Sequence, residues 1–584
     1  MSEAAARSEA AARSEAAARR DAEAPTERVR AAYRRIAEVD RPEVWITLRE
    51  EHALLAEAKE IADRLAGGES LPLAGLLVAV KDNIDVAGLP TTAACPSYAY
   101  QPVDSATAVR RLTNAGALVV GKTNLDQFAT GLVGTRSPYG AVRHAWLPGR
   151  ISGGSSSGSA VAVALGIADV ALGTDTAGSG RVPAALHGLV GLKPTLGLVP
   201  NTGVVPAARP YDCVTVFAAT LAMARRTMAV LIGPDPLDPS SRDWPDSVRL
   251  AAGPHPRVAV PDAAGLAPLS VEAAGAFRVA AQRLVAEGAV VEEIDIGVFL
   301  DAARLLYDGA LVAERYAAVG EFLEGRPPDA DPTVAGIVLA AKDVPAYRLA
   351  ADLERLGRHK RRAAAALAGF DALLLPTTTG HPTIAEVAAD PVGVNSRMGV
   401  YTNFVNLLDM AAVAVPAGAA DGGPFGVSVI TRAFDDQVAL DLAGLVTGEQ
   451  VDEPLPTTGT DLVVFGAHLR GQPLNGELTG LGARFRGVVG TAPVYRMVVL
   501  PGDPPKPGVL RTAADGAALR GERWTLSPSA LGRFLAGLPA PMTLGAIELA
   551  DGTTAVGFQC DPVAAAGTPD ITGHGGWLAY LGAQ

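Results

Sequence analysis

Between about residue 25 and residue 455, stretches whose apolar positions recur at helical spacing alternate with short aliphatic runs. The runs are "LLVAVK", "ALVVGK", "VAVALG", "RVAVP" and "ALLLPT", with Gly and Pro between them. That rhythm predicts an α/β domain built on a central sheet. One further run, "ADVALGT", ends as a strand running into a turn. The text changes at "DEPLPTTGTD", Asp452 to Asp461, where prolines and small polar residues collect as a linker. Beyond it, "LVVFGAHL", "PVYRMVVLPG" and "TAVGFQC" read as short strands between glycine turns, with one helical piece, "SPSALGRFLAGL". At the amino end the hexamer "SEAAAR" occurs three times. Each copy sets Glu four positions before Arg among alanines, which favours a helix. Six residues turn through roughly 600°, so successive copies rotate and leave no continuous apolar stripe. The expected organisation is a solvated extension at 1–24, an α/β domain at 25–455, a linker at 456–460 and a strand-rich domain at 461–584. A partner-binding arm is the weaker reading of the extension.

Length and composition narrow the classes. A chain of 584 residues favours two to four compact units. With 49% hydrophobic and 19% charged residues it reads as a well-buried globular protein, and its apolar stretches are interrupted before reaching spanning length. No membrane association is expected, and the absence of an apolar signal region predicts a cytoplasmic location. Cys95, Cys213 and Cys560 are odd in number and far apart, which predicts reduced thiols and no zinc site. A net charge of −12 argues against nucleic-acid binding. The one basic run, "RLGRHKRR" at 355–362, reads as a solvated helix face.

The candidate chemistry starts at "DTAGSGR", which sets Ser179 among glycines after a strand. A serine hydroxyl needs a base, and the nearby His187 lies in an apolar stretch as a packed core residue. Upstream, "GRISGGSSSGSAVAVALG" is a Gly/Ser loop leading into a small-residue helix. A flexible linker, a phosphate cradle and a nucleophile elbow compete for it. It lacks the Lys-Ser/Thr ending of a P-loop, and Gly154–Gly158 satisfies G-x-S-x-G only formally.

Four segments, "GGSSSGSAVAVALG", "ALGTDTAGSGRVPAALHGLVGLKPT", "VAVKDNIDVAGLPTT" and "GKTNLDQFA", together resemble the amidase signature family across nearly all of 25–455. The resemblance implies an α/β fold, with a central mixed β-sheet flanked by helices, and a Ser-Ser-Lys triad. Ser179 falls at its nucleophile, Ser155 at its bridging serine on a cis peptide, and Lys81 at its base. Lysine acts as a base only when neutral, and burial favours the neutral form; Lys81 ends the apolar run "LAGLLVAV". From context alone it reads as a strand-end lysine reaching solvent. The backbone amides of Thr176, Ala177, Gly178 and Ser179 are the expected oxyanion hole, and Asp175 and Arg181 the expected pins of the loop. Neither a cofactor nor a metal is expected.

"LLYDGALVAERYAAVGEFL", "YTNFVNLLDMAAVAVPAG" and "TGLVGTRSPYG" resemble the allophanate hydrolase branch of that family. That likeness implies that Tyr307 and Arg315 hold the substrate allophanate, whose carboxylate suits arginine's planar fork. The competing reading is a surface Glu314/Arg315 pair with Tyr307 in the core. On an ideal helix, residues eight apart differ by about 80° and roughly 12 Å, so convergence needs long side chains or a broken helix. Asn403 shares the segment without an evident role. The tail resembles the C-terminal domain of long members, an α+β fold similar to gamma-glutamyl cyclotransferase. The implied division of labour has the first domain releasing ammonia to leave N-carboxycarbamate, and the tail promoting its decarboxylation. His468 is the candidate group there and Arg470 a candidate anion holder; a turn histidine beside a solvated arginine is the alternative. A homodimer and a separate biotin-dependent urea carboxylase are implied partners. Rival readings are the A-type component of a tRNA-dependent glutamine amidotransferase, a fatty-amide hydrolase, and a scaffold that keeps the fold without activity.

Overall fold

The computed structural model describes residues 24–450, 453–502 and 505–583, so the "SEAAAR" repeats lie outside the described residues. Two compact units divide the chain. The first runs to Asp243 and resumes over His255–Leu455. The second joins Trp244–Pro254 to the residues from Pro456 onward.

The first unit is built on an eleven-stranded mixed sheet. Its spatial order is Trp45–Leu48, Leu118–Thr123, Leu77–Lys81, Val170–Asp175, Cys213–Ala218, Val190–Lys193, Met410–Ala420, Gly423–Arg432, Ala372–Pro376, Arg257–Pro261 and Val290–Ile294. Leu77–Lys81 lies parallel to both of its neighbours, whereas Val170–Asp175 meets Cys213–Ala218 antiparallel. These strands are buried along their whole length, which is why they read as continuous aliphatic runs rather than alternating ones. One apolar cluster gathers Val29, Leu54, Leu77 and Phe217, and another Phe299, Leu305, Tyr401 and Phe404.

The run "VAVALG", which reads both as a sheet strand and as the end of the small-residue helix after the Gly/Ser loop, is helical. Within "VAVALG", Val161–Ala164 closes the helix Ser157–Ala164, whose residues Ser157–Val163 are all buried. A helix enclosed on every side needs no polar face, so its sequence carries no 3.6-residue signature. The basic run falls on the helix Ala346–Ala366, with its cations exposed around a buried Leu356. All three cysteines are buried and free. No described helix is long and apolar enough to cross a membrane.

The second unit carries a five-stranded sheet ordered Arg484–Gly490, Arg520–Leu526, Thr460–Val464, Thr554–Cys560, Met542–Glu548, and a two-stranded ribbon Tyr495–Leu500/Lys506–Arg511. The predicted helix appears as Pro528–Ala536, capped by Ser527. It is not alone, since Asn475–Gly480, Pro562–Ala565 and Trp577–Gly582 are also helical. Those three are four to six residues long, too short to show periodicity. Trp244–Pro254 joins this unit through specific bonds: Leu250 N–H donates to Gly482 O and Ser529 N–H to Asp246 O, both at 2.9 Å.

Candidate active site

Three elements of the first unit converge on one buried spot. The strand Leu77–Lys81 ends in Lys81, the Gly/Ser loop supplies Ser155 just before its helix, and the turn after Val170–Asp175 supplies Ser179. Lys81 Nζ lies 2.7 Å from Ser155 Oγ, and Ser155 Oγ lies 2.9 Å from Ser179 Oγ. The Gly154–Ser155 peptide is cis. The expected trio therefore meets as one hydrogen-bonded chain, although its members are as far as 98 residues apart in sequence.

Lys81 is fully buried and also donates to Thr174 Oγ1 at 2.8 Å. Burial pulls its amine down to about 7, although the carboxylates of Asp126, Asp175 and Asp212 oppose that shift. The neutral amine is thus substantially populated at neutral pH, as a base requires. Because only the unprotonated form accepts a proton, acylation of Ser179 is expected to rise about tenfold per pH unit below 7 and to level off above it. A pH profile of kcat/KM with its acid limb inflecting above about 9 would contradict this.

The loop around Ser179 is pinned by Asp175 and Arg181, both fully buried. Arg181 donates to the Asp175 carboxylate through Nε at 3.0 Å and Nη2 at 2.9 Å. Burial raises the Asp175 carboxyl, but the Arg181 charge and bonds overcome that effect and leave it below its ordinary value. The same carboxylate accepts the N–H groups of Gly178 and Gly180, at 2.9 and 3.0 Å. This corrects one expectation: the Gly178 amide is committed to Asp175 and is not a free oxyanion donor. Among the described residues, the amides of Thr176, Ala177 and Ser179 have no protein acceptor.

Tyr307 and Arg315 come together because the helix between them is broken. Gly297–Arg304 ends before Tyr307, a 3-10 turn spans Ala310–Val312, and a new helix runs Ala313–Glu324. Arg315 is buried, not paired at the surface with Glu314. Its Nη2 donates to Tyr307 Oη at 2.8 Å and its Nη1 to Thr130 Oγ1 at 2.9 Å, with the guanidinium 4.8 Å from the Tyr307 ring centre. Its Nε is buried without a partner. Thr130 precedes Gly131, whose carbonyl lies 3.5 Å from Ser179 Oγ. The cation and the serine thus each reach the same Thr130–Gly131 loop.

That loop is organised by a residue that lies within "GKTNLDQFA" but is not singled out there. Asp126 accepts the N–H groups of Val133, Gly134 and Arg136 within 3.0–3.1 Å, and its own N–H donates to Ser155 O. Asn406 is equally silent in the sequence: its Nδ2 donates to Asp175 O and Tyr211 O, and its Oδ1 accepts from Arg181. Thr402 Oγ1 donates to Ala177 O at 2.6 Å. Both belong to "YTNFVN", where sequence reasoning singles out only Asn403, whose Oδ1 is buried without a partner.

In the second unit His468 lines a cavity of about 630 Å³ with Glu477, Lys506 and Arg533. Its Nε2 lies 3.0 Å from Glu477 Oε2 and its ring stacks on Phe558. Burial lowers its basicity, although Glu477 opposes this. Arg470 does not reach that cavity. Its guanidinium pairs with Glu522 and lies 3.7 Å from the Phe485 ring centre, and it lines a separate cavity of about 520 Å³.

Residues 27–440 match the family model described as Amidase, and residues 460–582 the model described as Allophanate hydrolase C-terminal domain. The urea amidolyase of Saccharomyces cerevisiae is 42% identical over 94% of this chain, which spans only 31% of that relative's length. The urea amidolyase of Lachancea kluyveri is likewise 42% identical, over 92% of this chain and 31% of its own. The solved Kluyveromyces lactis allophanate hydrolase superposes with a TM-score of 0.87 at 38% identity, covering 97% of this chain and 98% of that one.

Proposed function

Because the chain belongs to the amidase family and carries the allophanate hydrolase C-terminal domain, we propose that it hydrolyses allophanate to ammonia and carbon dioxide. Neutral Lys81 takes the Ser155 proton while Ser155 takes that of Ser179, whose Oγ attacks the carbon of the terminal amide. The amides of Thr176, Ala177 and Ser179 receive the oxyanion, a role in which one donor is worth about 10²–10³ in rate. The proton returns through Ser155 to the departing nitrogen, which leaves as ammonia. Water, deprotonated along the same relay, then attacks the acyl-enzyme and frees Ser179 together with N-carboxycarbamate. The second unit promotes decarboxylation of that product, with His468 as its acid-base group and Lys506 and Arg533 as cations for the two carboxylates.

One observation carries the choice of substrate. Arg315 is a buried cation whose described partners are two hydroxyls and no carboxylate, held on the loop that also touches Ser179. A ligand bearing its own carboxylate would supply the missing charge, and allophanate does so where urea does not. A homodimer, and supply of allophanate by a biotin-dependent carboxylase acting on urea, complete the reading. The amidotransferase component is the second reading; it leaves the second unit without a counterpart.

The test is ammonia release from allophanate, malonamate, biuret and urea. Allophanate is expected to be preferred over urea by several orders of magnitude in kcat/KM, and equal rates would sink the assignment. His468→Ala should leave the first ammonia within about twofold and slow the carbon dioxide behind it by roughly 10²-fold. Unchanged carbon dioxide release would remove His468 from the mechanism.

A further inference from the structure

Three buried histidines of the first unit take no part in that chemistry. His144, His187 and His381 come from separate segments, yet the His144 ring stacks on His187 with centroids 4.1 Å and planes 12° apart, and lies 4.9 Å from His381. Five of the six ring nitrogens are committed to backbone. For His144, Nε2–H donates to Leu186 O at 2.7 Å and Nδ1 accepts the N–H groups of Trp146 and Leu147. His187 donates from Nδ1–H to Pro183 O at 2.9 Å and accepts Ala145 N–H on Nε2 at 3.2 Å. His381 donates from Nε2–H to Ile151 O at 2.9 Å, and Ile151 N–H donates back to Pro382 O. The Nδ1 of His381 is buried without a partner. These roles give each ring one proton, the neutral form.

The backbone groups they hold belong to the serine segments. Ile151 lies four residues before Ser155, and Pro183 and Leu186 follow Ser179 on the helix Val182–Leu186. The segments touch, since a Cβ on Gly153 would lie 3.1 Å from Pro183 Cα and from Leu186 Cδ1. Resting on the serine assignments above but not on the substrate, we propose that His144, His187 and His381 are positioning residues. They form a neutral clasp that keeps the Ser155 and Ser179 segments in register, and it loosens when the rings are protonated.

The surroundings fit a clasp that must stay neutral. Arg41 donates to the carbonyls of Arg143, His144 and Ala145, and Arg150 to that of His381. The neighbouring acid, Glu43, is taken by Arg41 and Arg143, and none of the three rings is ion-paired among the described residues. Burial lowers His144 to about 4, helped by Arg41 and Arg150, and His381 to about 4, helped by the neighbouring His144 and Arg150; His187, by burial and then the neighbouring His144, falls well below its ordinary range. A folded pKa below the ordinary value of about 6.5 means the clasp contributes fully above that pH. It is lost progressively as pH falls toward about 4.

The test is the labelling rate of the nucleophilic serine by a fluorophosphonate, followed against pH with near-UV circular dichroism. In the wild-type chain the logarithm of the rate should rise with slope one below about pH 7, from Lys81 alone. Below about pH 5 it should steepen beyond one while the dichroism stays native. His144→Phe keeps the stack without the hydrogen bonds and is expected to label about tenfold more slowly near neutral pH; His144→Gln, which retains a donor toward Leu186, should recover most of that loss. Labelling of His144→Phe within about twofold of wild type overturns the proposal, as does a slope of one down to about pH 4. Steepening that coincides with loss of the dichroism assigns the extra protons to global unfolding and overturns it equally. If His144→Phe does not fold, the wild-type slope decides. A wild-type chain that never labels overturns the serine assignment, and the clasp with it.

Discussion

Ser179→Ala is expected to lower kcat/KM for amide hydrolysis by about 10⁵-fold, with the melting temperature shifted by no more than about 2 °C. The hydroxyl makes one short bond, to Ser155, and a long contact to Gly131 O. Its removal should therefore disturb little packing. Lys81→Met and Ser155→Ala should show losses of similar order, because the three side chains form one relay. The Ser155→Ala/Ser179→Ala double variant should be no slower than the worse single variant, since residues that act as a unit are not additive. Additive losses would mean that Ser155 serves some purpose other than passing a proton. Turnover of Ser179→Ala within about tenfold of wild type would remove the nucleophile from that position, and would favour a scaffold that keeps the fold without the chemistry.

Arg315→Ala is expected to reduce kcat/KM for allophanate by about 10²–10³-fold, chiefly through KM, because truncating one partner of a buried charge pair costs on the order of 2–5 kcal/mol. Amides without a carboxylate should lose far less. That difference separates the two explanations for a buried arginine: a purely structural role would depress every substrate alike. Tyr307→Phe removes a single hydrogen bond to the guanidinium, and about a tenfold loss, again confined to carboxylate-bearing substrates, is the expected outcome. Equal losses on malonamate and on an uncharged amide would refute the carboxylate-holding role.

The sheet is legible because its central strands are enclosed on both sides, and strands of that kind appear as unbroken aliphatic runs. The same enclosure leaves Val161–Ala164 readable as strand or helix, since the helix Ser157–Ala164, buried over Ser157–Val163, offers no polar side to decide between them. Lys81 illustrates a different limit. Local sequence favours a solvated lysine, and only the long motif resemblance draws it toward Ser155 and Ser179, whose meeting depends on three chain segments that no periodicity relates. Gly178 fails as an oxyanion donor for a local reason: Asp175, three residues earlier, turns its carboxylate back onto the loop. Asp126 and Asn406 lie inside the quoted segments yet are not singled out, because most of their partners are backbone groups, which leave no residue-type signal at the partner position. The same holds for the three histidines, of which the sequence places only His187 in the core, and places it alone.

The passage of Trp244–Pro254 into the second unit bears on how this protein can be taken apart. Val248 and Leu250 are buried there, and Arg484 donates to Leu250 O. A gene cut near codon 456 therefore separates the carboxyl-terminal piece from a strap that originates more than two hundred residues upstream. The amino-terminal piece would carry that strap without the Gly482 and Arg484 partners that hold Leu250. Excising the trailing unit intact calls for a circularly permuted gene, or for a synthetic peptide of the strap added back to the fragment.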